Sequence, residues 1–212
     1  MIGGHEIKDE KTGVPEPETT NGTSPMKLNG WGRYPIIEAD APGFETAGKA
    51  AELLAGPGSW IAHGLGKSYG DSALNFQVLM TRRLNKLLGF DPRQGVVTCE
   101  SGVTLADLID VFLPKGWFLQ VTPGTKLITV GGAIASDVHG KNHHQQGCFS
   151  TSVISMRLML PDGRVVDCSP DENGELFAAT CGGMGLTGLI LEARLQFQPV
   201  NSAYIREKVW RC

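Results

Sequence analysis

The chain has 212 residues, of which 41% are hydrophobic and 19% charged, and its formal net charge is −3. This length is sufficient for the core of one large or two small domains. Because the net charge is slightly negative, the chain has no overall positive potential that would attract nucleic acid. No apolar run approaches the roughly 20 residues of a transmembrane helix.

The predicted elements begin after an extension. Residues 1–27 are poor in apolar side chains and are predicted to be disordered, with order beginning near Leu28. A helix is predicted over 44–54, and Thr104 is predicted to cap a second helix that ends before Gly116. The other predicted elements are strands at 60–63, 78–81, 95–100, 118–121 and 189–197, a hairpin of 153–160 with 164–167, and a helix at 172–180.

The composition also bears on fold class and compartment. The mixed element order with antiparallel hairpins predicts an α+β fold rather than a regular doubly wound sheet. Five widely spaced cysteines indicate reduced thiols and a cytoplasmic location. Glycine is in excess at 28 residues, where average usage of roughly 7% would give about half as many. The excess indicates tight turns or close contacts between backbone and ligand.

The first glycine-rich motif runs from Gly64 to Gly70 and reads GLGKSYG. Its spacing differs from the G-x-G-x-x-G of dinucleotide-binding loops. Backbone N–H groups at such a strand end form a nest for anionic oxygens such as a pyrophosphate, to which Lys67 adds charge and Ser68 a donor. The alternative is a simple glycine-rich turn.

The second motif runs from Thr122 to His144, where no regular helix or strand is predicted. Gly131 and Gly132 leave the backbone bare, so that another group can approach it closely. Hydrogen-bonding side chains follow within a few residues, which indicates that the chain wraps a flat, partly anionic ligand. These side chains belong to Ser136, Asp137, His139, Lys141 and Asn142.

A metal site is an alternative for this segment, because imidazole and thiolate are good zinc ligands. However, the spacing of its histidines and cysteine matches no standard zinc pattern, and adjacent histidines on a strand would point apart. We therefore predict no metal site from the residues His139, His143, His144 and Cys148.

The third motif, from Gly182 to Gly188, has four glycines in seven residues before a strand. Alone, it fits either a backbone that approaches a ligand or a tight connection from helix to strand. Three such loops in one chain of modest length are predicted to converge on a single elongated ligand.

Four strings carry a family resemblance: GLGKSYGD at 64–71, TPGT at 122–125, VGGAIASDVHGKNHH at 130–144 and GLTG at 185–188. They resemble the PCMH-type FAD-binding domain of the vanillyl-alcohol oxidase superfamily, and within it the oxidases of polyprenyl-phosphoryl ribose. The resemblance implies an α+β fold of two small α/β subdomains with mixed sheets. It also implies that the FAD-binding domain follows the extension at 1–27 and occupies 28–200, and that 201–212 are the start of a connection to a substrate domain that the chain lacks.

The resemblance also implies the residues that contact FAD. Lys67 stands where covalent relatives carry a histidine, so non-covalent FAD is expected. Tyr69, His139 and Lys141 are candidates for the substrate side of the flavin, and no catalytic base is predicted in the chain. The cofactor-binding residues implied are His63, Gly64, Leu65, Gly66, Lys67, Ser68, Tyr69, Gly70, Asp71, Ser72, Gly124, Thr129, Val130, Gly131, Gly132, Ser136, Asp137, Val138, His139, Gly185 and Ile190.

The function implied is oxidation of a secondary alcohol of a sugar or polyprenyl-phosphoryl ribose, by hydride transfer to flavin N5. Two alternatives stay open: a non-catalytic or partner-dependent flavin module, and an enzyme of the aldonolactone or alditol oxidase type. The implied partners are FAD, the sugar substrate, and a reductase or a complementary chain with the substrate domain. A lipid-linked substrate would imply a peripheral position at the membrane.

Overall fold

The largest element of the fold is a six-stranded antiparallel sheet. In the computed structural model, which describes residues 25–204 and 207–210, strand β10 (Leu189–Pro199) lies at its centre. Side chains alternate along this strand, so that Leu195 and Phe197 are buried and Arg194, on the opposite face, is exposed. The order of the other strands is β5 (Leu87–Asp91), β6 (Val96–Glu100), β10, β8 (Val153–Met159) and β9 (Val165–Cys168), with β7 (Trp117–Leu119) paired to the end of β10.

Two small sheets accompany the large one. Strands β1 (Met26–Asn29) and β2 (Ile36–Ala39) form an antiparallel hairpin. Strands β3 (Trp60–His63) and β4 (Gln77–Met80) pair in parallel. Because both strands of a parallel pair end at the same edge, the loops that leave His63 and Met80 start side by side.

Five α-helices lie among the described residues: α1 (Ala47–Leu54), α2 (Leu105–Phe112), α3 (Val130–Ala135), α4 (His143–Gln146) and α5 (Gly174–Thr180). Threonine side chains cap three of them, because an N-cap oxygen accepts a free backbone N–H of the first turn. These caps are Thr46, Thr104 and Thr129.

The largest core cluster lies between the six-stranded sheet and helices α2 and α3. Its fully buried members include Leu108, Ile134, Leu158 and Leu195. A smaller cluster packs α1 against β4 and the start of β10, through residues such as Ala50, Leu79 and Leu191. The predicted α+β fold, with parallel and antiparallel pairing, is confirmed.

The structure differs from the sequence-based expectations in the second motif. Helix α3 passes through Gly131 and Gly132 although glycine disfavours helices. Packing selects glycine here, because a Cβ on Gly131 would lie 3.0 Å from Ser101 Cβ. Helix α4 was not predicted either, and His143 and His144 both belong to its single turn.

The structure also contains strands β1, β2 and β5, which were not predicted. The predicted disordered extension falls mostly on residues 1–24, which lie outside the described residues. Met26 and Lys27 already belong to β1, so the ordered chain begins before Leu28. No helix within the described part of the chain is long and apolar enough to cross a membrane.

Candidate cofactor site

All three glycine-rich motifs line one cleft beside the carboxyl ends of β3 and β4. The first motif follows β3 directly, and Thr81, which follows β4, donates its hydroxyl hydrogen to the His63 carbonyl oxygen over 3.2 Å. Thirteen of the residues implied by the resemblance line the cleft: Gly64, Leu65, Gly66, Lys67, Ser68, Ser72, Thr129, Gly131, Gly132, Ser136, Val138, Gly185 and Ile190.

The first loop is held against α3 without space for a side chain between them. Thr129 Oγ1 accepts the Gly132 N–H over 3.1 Å and so caps the helix. A Cβ on Gly64 would lie 2.5 Å from the same oxygen, well inside van der Waals contact. Glycine at position 64 therefore lets the loop and the helix form adjoining walls of the cleft.

The third loop is joined to the other end of α3. The Gly182 N–H donates to the Ile134 carbonyl over 3.0 Å, and the Met184 N–H donates to the Ala135 carbonyl over 2.8 Å. Met184 has a φ of 53°, in the left-handed region that costs a non-glycine residue free energy. Such strained residues concentrate at ligand sites, and Met184 lines the cleft.

The chemistry of the lining suits an amphipathic anion. Lys67 is its one charged side chain among the described residues, and no carboxylate lines the cleft. Isoleucine, valine, leucine and methionine side chains offer apolar surface for a flat ring system. Six hydroxyl-bearing residues add hydrogen-bonding capacity: Ser68, Ser72, Thr81, Ser101, Thr129 and Ser136.

Ser101 gives the clearest sign of an absent partner. It lines the cleft and is 1% exposed, and its hydroxyl has no hydrogen-bond partner within the described structure. Leaving such a group unpaired costs about 1–3 kcal/mol. The Ser101 backbone is fully engaged, since its N–H donates to the Leu191 carbonyl and its carbonyl accepts the Gly131 N–H, each over 2.8 Å. The side chain alone is left for a ligand.

Eight residues implied by the resemblance do not line the cleft, and several have other partners. Val130 is fully buried in the core. His63 is 4% exposed, and its Nδ1 lies 2.8 Å from the Ala73 carbonyl oxygen. The Asp137 carboxylate accepts the Ser150 N–H over 2.8 Å. The eight residues are His63, Tyr69, Gly70, Asp71, Gly124, Val130, Asp137 and His139.

The three substrate-side candidates are exposed and lie outside the lining of the cleft. Tyr69 is 81% exposed, and His139 and Lys141 are exposed as well. The backbone around Lys141 is nevertheless fixed, because the Asn142 side chain donates to the Gln120 carbonyl over 2.9 Å and a Cβ on Gly140 would lie 2.4 Å from the Thr122 carbonyl oxygen.

The histidines and cysteine of the second motif form a small cluster. The rings of His139 and His143 have centroids 5.3 Å apart, and His143 Nδ1 lies 3.7 Å from Cys148 Sγ. Burial, with the nearby Asp137 carboxylate, raises the pKa of the Cys148 thiol. The thiol is therefore neutral near pH 7 and a poor nucleophile. Across the described residues, no group of three or more His, Cys, Asp or Glu side chains could hold a metal ion.

Comparison with known proteins identifies this arrangement. A family model described as an FAD binding domain matches residues 57–169, which include the first two glycine motifs and Ser101. The chain belongs to this family. It is a PCMH-type FAD-binding domain, and FAD is its cofactor.

Curated relatives of this FAD-binding domain are FAD-linked oxidoreductases. The decaprenylphosphoryl-β-D-ribose oxidase of Mycolicibacterium smegmatis is 38% identical over 190 residues, which are 86% of this chain and 41% of that protein. The L-gulonolactone oxidase of Mus musculus is 33% identical over 55% of the chain and 26% of its own length. The D-arabinono-1,4-lactone oxidase of Yarrowia lipolytica is 30% identical over 60% of the chain and 25% of its length. The chain thus spans less than half of each.

Sequence reasoning missed several residues that line the cleft of the FAD-binding domain. Two of them carried a usable signal, because Ser101 directly follows a predicted strand and Thr81 is the last residue of another, and ligand sites commonly lie at the ends of strands. Four others lie within the second and third glycine-rich motifs, which were predicted to contact the ligand, although these residues were not named individually: Ile128, Ala135, Met184 and Gly188. Nothing in the local pattern of Ala62, Ala73 and Leu189 distinguishes them from core residues.

Proposed function

We propose that this FAD-binding domain serves an oxidoreductase that oxidises a secondary alcohol of a sugar or of polyprenyl-phosphoryl ribose. The observation that carries the proposal is the cleft itself, in which three glycine loops meet around six hydroxyls, one lysine and no carboxylate. The relative from Mycolicibacterium smegmatis, an oxidase of decaprenylphosphoryl-β-D-ribose, supplies the substrate class. The proposed domain extends from residue 28 to 200.

The chain's own groups would bind and orient the cofactor. Bound FAD supplies the hydride acceptor, at flavin N5, for oxidation of an alcohol carbon. The backbone N–H groups of the first loop would hold its diphosphate, with Lys67 neutralising charge and Ser68 donating. Apolar groups such as Ile128 and Val138 would exclude water from the ring system.

The attachment is proposed to be non-covalent. Position 67 carries a lysine, where the covalent members of the superfamily carry a histidine. The neighbouring His63 is held by its contact with the Ala73 carbonyl oxygen. Denaturation of the purified protein should therefore release flavin into solution, and flavin that stayed with the precipitated chain would contradict non-covalent binding.

Tyr69, His139 and Lys141 are proposed to face the substrate. All three side chains are exposed, and the hydrogen bond from the Asn142 side chain to the Gln120 carbonyl anchors the segment that carries Lys141. These side chains would orient a polar substrate, and we assign the catalytic base to none of them.

The experiment is a visible spectrum of the purified chain with added FAD, followed by anaerobic titration with candidate substrates. A yellow protein whose flavin is bleached by polyprenyl-phosphoryl ribose, and not by an equal concentration of L-gulono-1,4-lactone, supports the proposal. A chain that takes up no FAD would overturn it.

Two other functions stay open as alternatives. Similarity to lactone oxidases of mouse and yeast favours an aldonolactone oxidase, which the lactone arm of the same titration would reveal. The other alternative is a non-catalytic or partner-dependent flavin module. In that case FAD would bind, and no substrate would bleach it unless a complementary chain or a reductase was added.

A further inference from the structure

A second depression lies between the first glycine loop and the turn that joins β1 to β2. Three cationic side chains line it, those of Lys27, Arg33 and Lys67, together with Trp31 and His63. We refer to these five residues as the basic basin. No aspartate or glutamate lines it. Three cations without an acid form an unusual concave site in a chain whose net charge is −3.

Lys27 and Arg33 of the basic basin are available to a second ligand, and Lys67, which lines the FAD cleft as well, adds positive charge between the two sites. The ion pair of Lys27 with Glu38 is long, at 3.7 Å, and its side chains are 74% and 66% exposed, so it contributes little. In the part of the chain that the structure describes, Arg33 has no ion-pair partner. Lys67 Nζ lies 5.4 Å from the centre of the Trp31 ring, an attraction that leaves its hydrogen-bond donors free.

The backbone that carries these side chains is fixed. The Trp31 N–H donates to the Ser68 carbonyl over 2.9 Å, which joins the hairpin turn to the first glycine loop. A Cβ on Gly30 would lie 2.6 Å from the same carbonyl oxygen, so the two segments are in close contact. Arg33 has a φ of 57°, a conformation that costs a non-glycine residue free energy and that recurs at ligand sites.

The chemistry of the basic basin suits an organic phosphate. A guanidinium binds phosphate oxygens through two parallel hydrogen bonds, and lysines act as point charges beside it. The Trp31 ring, 55% exposed, offers a flat face to the organic part of the ligand. We propose that the basic basin binds the phosphate group of an organic phosphate other than the FAD in the cleft. This proposal assumes that FAD occupies the cleft, and in that respect it rests on the proposed function.

The test is isothermal titration of the full chain, FAD-saturated and cofactor-free, with ribose 5-phosphate as the probe and ribose as the uncharged control. The variant Lys27→Gln/Arg33→Gln removes two cations that do not line the FAD cleft. Its matched control, Lys49→Gln/Arg93→Gln, removes the same charge from α1 and from the turn between β5 and β6. Lys67 is left unchanged because it lines both sites.

We expect saturable binding of ribose 5-phosphate to the FAD-saturated chain, no binding of ribose, and weaker binding at high salt. Loss of two charged contacts should weaken binding at least about tenfold in Lys27→Gln/Arg33→Gln, whereas the control pair should bind as the unaltered chain does. FAD uptake should be equal in all three proteins.

Three results would overturn the inference: no binding of the probe, equal binding by the two double variants, or binding only to the cofactor-free chain. The last result would assign the cations to the phosphates of FAD itself. If the chain took up no FAD, the proposed function would fail, and the titration of the cofactor-free chain would alone decide whether the basic basin binds phosphate.

Discussion

Glycine has opposite consequences at two positions of this chain. Gly64 stands where a Cβ would lie 2.5 Å from Thr129 Oγ1, whereas nothing lies within 4 Å of a Cβ on Gly48 in helix α1. The first glycine is required by the contact between two walls of the cleft. The second is exposed and only adds conformational freedom to the unfolded chain.

The two alanine substitutions should therefore have opposite signs. Gly64→Ala should displace the Thr129 cap, lower the free energy of unfolding by about 1–2 kcal/mol and weaken FAD binding. Gly48→Ala should raise the free energy of unfolding by about 0.5–1 kcal/mol and leave FAD binding unchanged. Urea unfolding and flavin titration of both variants measure these effects. Equal FAD affinity of the two variants would contradict the close contact.

The unpaired hydroxyl of Ser101 leads to a second prediction at this scale. Ser101→Ala should keep or raise the free energy of unfolding of the cofactor-free chain, since it removes a buried group without a partner, and should weaken FAD binding about five- to tenfold. Ser152→Ala is the control, because Ser152 is 2% exposed and its hydroxyl donates to the Phe149 carbonyl over 2.7 Å.

The control variant should lose about 1 kcal/mol of stability and bind FAD normally. The measurements are thermal unfolding without cofactor and fluorescence titration with FAD. If Ser101→Ala bound FAD as tightly as the unaltered chain, its hydroxyl would not serve the cofactor.

A cysteine gives a pH-dependent prediction. Burial, with a smaller contribution from Asp137, raises the pKa of the Cys181 thiol from 9.0 to about 11. The folded chain then holds this proton where the unfolded chain loses it, so stability is fully present below pH 9 and falls as the pH rises toward 11. Denaturant unfolding between these limits should show the decline. Cys181→Ala should make it shallower, and an unchanged slope would contradict the assignment.

At the scale of elements, helices α2 and α3 have the same kind of cap in different places. Thr104 caps α2 in a capping box, in which its side chain accepts the Asp107 N–H and the Asp107 carboxylate accepts the Thr104 N–H, and Thr104 does not line the cleft. Thr129 caps α3 and lines the cleft. The backbones of Thr104 and Thr129 are paired by an isolated antiparallel β-bridge. Because only Thr129 lines the cleft, substitutions at the two caps can distinguish an effect on helix stability from an effect on cofactor binding.

Alanine at either cap should lower the free energy of unfolding by about 0.5–2 kcal/mol. Thr129→Ala should in addition weaken FAD binding, because its side chain fixes both α3 and the first loop. Thr104→Ala should change FAD affinity little once the folded fraction is taken into account. Flavin titration of both variants at equal folded fraction measures these effects. If Thr104→Ala lost as much FAD affinity as Thr129→Ala, the specific role of Thr129 in cofactor binding would be contradicted.

At the scale of the whole molecule, the cleft is built from segments far apart in the chain. The loops at 64–70 and 182–188 are both joined to α3, the first by the close contact of Gly64 with Thr129 and the second by backbone hydrogen bonds to Ile134 and Ala135. The six-stranded sheet packs against α3 and contributes many of the buried residues of the largest core cluster. Cofactor binding should therefore order the loops more than it orders the sheet.

FAD at a hundred times its dissociation constant should add about 2.7 kcal/mol to the free energy of unfolding. Amide hydrogen exchange should slow at 64–70, 130–138 and 182–188 together when FAD binds, while the amides of β10, already protected, should change little. Protection confined to one loop would show that the three segments do not share a ligand.

The local sequence was sufficient to predict most of the helices and strands. The cap at Thr104, the turn at 161–163 and the alternation along β10 act over a few residues, so that they can be recognised without the fold. Helix α1 was predicted from residue 44, and its cap at Thr46 was not identified. Strands β1, β2 and β5 were missed because they lie at edges or in a small hairpin, where alternation is weak. Helix α3 was missed because tertiary contacts with Ser101 override the low helix propensity of its glycines.

The sequence by itself determined the α+β class, the three glycine loops and, through its resemblance to a known superfamily, FAD as the cofactor. Only the tertiary structure decided which residues share the cleft. It brought in Ser101 and Thr81, turned Asp137 toward Ser150 and buried Val130 in the core. The physical reason is that backbone conformation follows short-range patterns, whereas the direction of a side chain depends on contacts between segments that are distant along the chain.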